Sequence, residues 1–107
     1  MSQPDLQEWN LQTITLMQAL IGAISANFRM VTLDWSEDTW IISIYLERDD
    51  PQDREEAEDV GFEFDALQLR NMKSAIKTYI SPENPIFPKP PTRVVFKRRE
   101  YFKDEVE

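Results

Sequence analysis

The sequence predicts an α+β domain, an antiparallel sheet of about four strands with two helices on one face, in the order α-β-β-α-β-β. Three observations carry that reading. Two alternating runs, FRMVTLDW and WIISIYL, lie either side of a short polar stretch. Segments before and after them repeat apolar residues at spacings of three and four. Two further extended stretches, AIKTYI and TRVVFKRREYF, flank a proline-rich connection. With 107 residues the chain reads as one domain, 1–107. Its 41% hydrophobic content, with three Trp, six Phe and three Tyr, supplies a core without disulfides or metal.

The first helix is predicted from Leu6 to Ile24, with Leu6, Trp9, Ile14, Met17, Leu20, Ile21 and Ile24 as its core stripe. Ser2 suits a cap, Pro4 a first turn and Asn27 a left-handed stop. Gly22, costing a helix about 1 kcal/mol against Ala, is read as a close packing contact. A hairpin follows, with Ser36-Glu37-Asp38-Thr39 as a four-residue loop. Setting Trp35 opposite Trp40 brings Leu33 to Ile42 and Val31 to Ile44, all on one face. The two tryptophans then pack at the sheet end, and Met30, Ile41 and Tyr45 on the other face are candidates for partner contact.

Asp50 before Pro51 starts the second helix, expected to run to about Leu69 with Ala57, Val60, Phe64 and Leu67 inward. The alternation of Phe62-Glu63-Phe64-Asp65 leaves a strand open as the other reading. Ala75 to Ile80 forms a short strand with Ile76, Thr78 and Ile80 on one side. SPENPIFPKPP, with five prolines in eleven residues, is an extended connection that Ile86 and Phe87 pin to the core. Thr92 to Phe102 is the last strand, with Val94 and Phe96 inward and Arg93, Lys97 and Arg99 outward.

Composition removes most catalytic chemistry. The chain has no His and no Cys, hence no imidazole base, no thiol nucleophile and no thiolate metal site. Two glycines, Gly22 and Gly61, build no phosphate-cradling loop, and no serine sits in a nucleophile elbow. Paired carboxylates such as Glu55 and Asp59 could hold a cation or act on glycosides, but helical acids at that spacing are ordinarily solvated. No catalytic residue, metal or cofactor is assigned, and the chain is expected not to be an enzyme.

Charge is the informative property. Net charge is −8, and residues 1–65 hold fifteen acids against three bases, while residues 66–107 hold five against nine. Such a balance argues against nucleic-acid binding, including through Lys97-Arg98-Arg99, which acids follow at once and which reads as a charged edge. The start MSQPDLQEWN is not a signal peptide, and the longest weakly polar run, LMQALIGAIS, is too short to cross a bilayer. A cytoplasmic protein without membrane contact is expected.

The segment DDPQDREEAEDVGFEFD, residues 49–65, concentrates nine acids against one base, Arg54. Helical exposed faces ordinarily interleave Glu with Lys, so this one reads either as a solvated face or as a docking surface for a basic partner. The docking surface would comprise Asp53, Glu55, Glu56, Glu58, Asp59 and Glu63, extended by Glu37 and Asp38 from the hairpin loop and by Tyr45.

Small size, the acidic helix and the stretches LIGAISANFRMVTL and WIISIYLERDDPQDREEAEDVGFEFDAL resemble the immunity proteins of bacterial toxin systems. These include those paired with contact-dependent growth inhibition toxins and with colicin-like nucleases. The resemblance implies a protein made beside its toxin, which binds the cognate toxin domain in the producing cell and blocks its active or an adjacent site. It implies a basic target, expected to be a nuclease. The resemblance leaves oligomeric state unassigned. The competing readings are a small carboxylate-based or metal-dependent enzyme and an acidic accessory domain.

Overall fold

Six elements follow one another along residues 3–100, which the computed structural model describes: α1 (Leu6–Ala19), β1 (Phe28–Ser36), β2 (Thr39–Leu46), α2 (Pro51–Ala66), β3 (Ser74–Ile80) and β4 (Arg93–Lys97). Ser2, expected as a cap, and the last strand's end at Phe102 lie outside the described residues.

Asp5 caps α1, its carboxylate accepting the Glu8 N–H at 2.9 Å. The helix ends at Ala19, five residues earlier than its apolar spacing suggested. Gly22 is the reason, and it is no packing contact. Its φ of 83° suits glycine, while an added Cβ would meet nothing within 4 Å. Asn27 is no left-handed stop either; its side chain is buried and bonded to the start of α2, described below.

The inward face of α1 carries Gln12, Thr15, Leu16 and Ala19, with Trp9 packed at its border. The expected core stripe is split: Trp9 and Leu20 do pack on the core, but Ile14 and Met17 are each 53% exposed and Ile21 81%. Leu6 and Ile24 are exposed too. Two apolar stripes compete on this helix, and the position of Gln12 decides between them. Its amide exchanges two hydrogen bonds with Gln68, at 3.0 and 2.7 Å, and a third with Glu8 at 2.9 Å. A satisfied amide can be buried at little cost, so the stripe around Leu16 faces the sheet.

The hairpin register is Trp35↔Trp40, Leu33↔Ile42 and Val31↔Ile44, as the alternation required. Its loop has two residues, not four. Glu37 and Asp38 both adopt positive φ, 49° and 62°, the signature of the tight turn that matches strand twist. Trp40 is fully buried between two edge-on rings, Trp9 and Trp35, each 5.0 Å away.

The sheet order is β3-β2-β1-β4, with β1 antiparallel to β2 and to β4 but β3 parallel to β2. The expected all-antiparallel sheet is corrected by α2. This helix carries the chain back along β2, so the next strand must run in the same direction as β2, as a crossover unit requires. Asp50 caps α2, accepting the Asp53 N–H at 3.1 Å, and Ala57, Val60 and Phe64 are buried against the sheet while Leu67 remains partly exposed at the C-cap.

Gly61 marks the close helix–sheet approach. A Cβ there would stand 2.5 Å from Ile76 Cγ1. Gly61→Ala gains about 1 kcal/mol of helix propensity but forces a repacking that costs about 1–3 kcal/mol. We expect a net loss near 1 kcal/mol in urea unfolding. The same change in an Ile76→Ala background should instead be neutral or stabilising.

Segment 81–92 leaves β3 beside Leu46 and enters β4 beside Leu33, crossing the outer face of the sheet. Arg29 Nη1 holds its start, donating to the carbonyls of Ser81 (2.9 Å) and Pro82 (2.7 Å). Pro88 and Thr92 border a groove over Thr32, Asp34 and Tyr45. Met30, expected as a contact residue on this face, is buried. Ile86 and Phe87 do not pin the segment; they are 90% and 60% exposed. In β4 a register shift between Val31 and Thr32 makes room for Val95, so Val95 and Phe96 pack on the core rather than Val94 and Phe96. The same shift takes Arg93 to α1, where it stands 5.4 Å over the Trp9 ring and donates to Asn10 at 2.9 Å.

Candidate partner-binding surface

The acids singled out in the sequence occupy different parts of the molecule. Asp53 is withdrawn from any surface. It is buried, and its carboxylate accepts from Asn27 Nδ2 at 2.9 Å. Asn27 completes the clamp by donating to the Arg48 carbonyl (2.8 Å) and accepting the Arg48 N–H (2.9 Å). Asp53 therefore ties the start of α2 to the turn before β1.

The remaining acids of α2 divide over its outer faces. Glu56, Asp59 and Glu63 line a shallow groove against Ile21 and Gly22 at the end of α1. Glu58 lines a second groove, with Arg54, Phe62 and Asp65, on the β3 side. Glu55 is exposed on the helix crest. Among the described residues none of Glu55, Glu56, Glu58, Asp59 and Glu63 makes an ion pair. Arg54, the helix's one base, is turned back onto Asp49 at 2.6 Å, which holds the exposed Asp49 carboxyl below its usual range. The last turn of α2 has no basic residue although Glu63 and Asp65 lie there, against the helix dipole. Charge of this kind does not serve the helix that carries it.

The loop acids do not join this surface. Glu37 and Tyr45 border the groove on the outer sheet face, while Asp38 lines a cleft of about 510 Å³ between the start of α1 and residues 70–73. Tyr45 stacks on Tyr79 at 5.1 Å, and burial, then the neighbouring phenol, raises its pKa.

What joins the acidic row is apolar and was read from the sequence as core. Ile14 and Met17 are exposed on α1 and Ile21 in the turn after it, and Ile21 borders both the acidic groove and a second one floored by Met17, Val95 and Phe96. Protein-docking surfaces in general combine an apolar centre with a charged rim, and here an exposed apolar ridge lies beside a row of acids that make no ion pair among the described residues. The missed signal was Gln12, a polar residue that turned inward through its bonds with Gln68 and so left part of the apolar spacing on the surface.

No metal-ligand cluster of three or more acids occurs among the described residues, and no described helix is long and apolar enough to cross a membrane. The family model of the MafI2 immunity proteins matches residues 11–100, from mid-α1 to just past β4. The chain belongs to the MafI2 immunity protein family. No curated protein matches the chain. Membership makes the chain an immunity protein, whose partner is a toxin. The acidic row lies on α2, and the apolar ridge on α1 and the turn after it. The family match spans both, because it contains α2 entire together with Leu11 to Ile24.

Proposed function

We propose that this immunity protein neutralises its toxin by stoichiometric docking rather than by catalysis, in the cytoplasm of the cell that makes both. The contact is the face shared by α1 and α2, and the target is a basic toxin domain with nuclease activity. The observation that carries this reading is the row Glu56, Asp59, Glu63, without ion pairs among the described residues and continuous with exposed Ile21. Nucleases gather cationic side chains to hold phosphate, and the same groups attract a carboxylate row. The ridge supplies the desolvated centre that charge alone does not. Glu55 and Glu58 add to the field without needing to touch the partner.

The test uses the toxin domain encoded beside the gene. One equivalent of the chain should abolish its cleavage of DNA or RNA, and association should slow as salt rises. Glu56→Lys, Asp59→Lys and Glu63→Lys together should lower the on-rate by ~10–100-fold at low salt and flatten the salt dependence. An unchanged on-rate in the triple variant would remove the acidic row from the interface. A toxin domain that is inhibited but cleaves no nucleic acid would remove the nuclease and keep the inhibitor.

A further inference from the structure

The two edges of the sheet are treated differently. β4 has only five residues, Arg93–Lys97, and is bulged at Val95, devices that keep an edge from pairing. β3 has seven residues, no proline and an unbroken register with β2 from Ser74 to Ile80. Its one lysine, Lys77, points to the outer sheet face with Tyr79 rather than across the edge.

The direction of the main chain in β3 follows from the bonds at its ends. The Lys73 carbonyl accepts from Trp40 at 2.9 Å, and the Ser81 N–H donates to Leu46 at 2.6 Å. Backbone groups alternate sides along a strand, so the odd-numbered residues bond to β2. Ser74, Ile76, Thr78 and Ile80 then direct N–H and C=O outward, where no described residue pairs with them. Their side chains lie on the helix side. There Ser74, Ile76 and Thr78 form the floor of a groove of about 500 Å³ whose wall is α2, with Glu58, Gly61 and Phe62. The absence of a side chain at Gly61 is what lets α2 approach Ile76 so closely.

We propose that β3 takes an extended segment of the toxin as a fifth strand, its side chains entering the groove between β3 and α2. The chemistry of the groove selects the segment. Exposed Phe62 and half-buried Ile76 take an apolar residue, and Glu58, which has no ion pair among the described residues, takes a basic one two positions away. A second copy of this chain fits poorly, because pairing two β3 edges brings two acidic helices together in a molecule of net charge −8. The proposal rests on the toxin-binding reading above and adds a second contact, on the opposite side of α2 from the acidic row.

Amide hydrogen exchange resolved by residue, on the full chain with and without the inactivated toxin domain, tests it. In the free chain the amides of Ile76, Thr78 and Ile80 should exchange quickly while those of Ala75, Lys77 and Tyr79 are protected. Complex formation should slow Ile76 and Thr78 by 10²-fold or more. Thr78→Pro, which removes an outward N–H at an edge position where proline is tolerated, should weaken binding at least 10-fold with the β2 pairing intact. Tight binding with these amides still exchanging fast would overturn the fifth strand and leave the toxin-binding reading standing. No binding at all would end both. Protection in the free chain that rises with its own concentration would give the edge to a second copy and overturn the proposal.

Discussion

Met17→Glu combined with Ile21→Glu is expected to weaken toxin binding by ~10²–10³-fold while leaving unfolding free energy within about 0.5 kcal/mol of the parent. Both side chains are more than half exposed, so neither change creates a cavity or buries a charge in the free protein. In the complex the ridge is the part of the surface that can be fully dried, and a carboxylate there must be stripped of water with no partner. A single hot-spot loss is at least about 2 kcal/mol, roughly 30-fold, and two adjacent ones are not additive. The effect should fall on dissociation, in contrast to the acid-row variant, whose effect falls on association. Isothermal titration with a parallel urea unfolding curve measures both quantities. Undiminished affinity would show that the ridge faces solvent in the complex and would move the interface elsewhere on α2.

The second large effect concerns Glu100. Its carboxylate is held by Arg29 at 3.1 Å, Arg98 at 3.0 Å and Lys97 at 3.3 Å, and it is 10% exposed. Burial opposes its ionisation, but the hydrogen bonds from Arg98, Arg29 and Lys97 prevail and bring its pKa down to about 2. Arg29 is itself buried and also holds the start of segment 81–92, so this one carboxylate joins β1, the end of β4 and that crossing. Glu100→Gln should cost on the order of 2–3 kcal/mol, below the 3–5 of a fully enclosed pair because water reaches the cluster's rim. For a domain of this size that is a fall in Tm of roughly 10–15 °C.

The pH dependence has a definite sign. A carboxylate with a lowered folded pKa binds its proton more readily in the unfolded chain, so its contribution is complete above about pH 4.5 and is lost as pH falls toward 2. Glu47 and Asp49 are also lowered, by hydrogen bonds from Arg98 and Arg54 respectively, and both are present in both proteins. The difference between parent and Glu100→Gln curves isolates the cluster. It should be flat from pH 5 to 8 and shrink between pH 4.5 and 2. A difference that stays constant through that window would mean that Glu100 contributes by packing and not by charge.

Local patterns were sufficient for several elements. The register of Trp35 with Trp40 follows from period-two alternation alone, because a one-residue slip would turn Val31, Leu33, Ile42 and Ile44 to the wrong face. Asp50-Pro51 marks the start of α2 by cap and ring geometry within four residues. Apart from Asp53, the acids of α2 were equally legible as outer-face residues, since they fall opposite the apolar stripe of the helix. Family character was also readable from much of Ile14–Leu67, and the family match, residues 11–100, contains that span.

Tertiary structure decided what depended on distant partners. The direction of β3 was hidden because a seven-residue strand pairs as well parallel as antiparallel; the path of α2 chose. The burial of Asp53 was hidden because its partner, Asn27, is twenty-six positions away. Most important for function, α1 carries two apolar stripes, and sequence periodicity ranks them by hydrophobicity. The fold ranked them by which side could satisfy Gln12 with Gln68, fifty-six positions away, and so left Ile14, Met17 and Ile21 at the surface. A single sequence determines where charge and apolar surface exist along each element; which of it is spent inside and which is left for a partner is set by the hydrogen bonds that only the assembled chain can close.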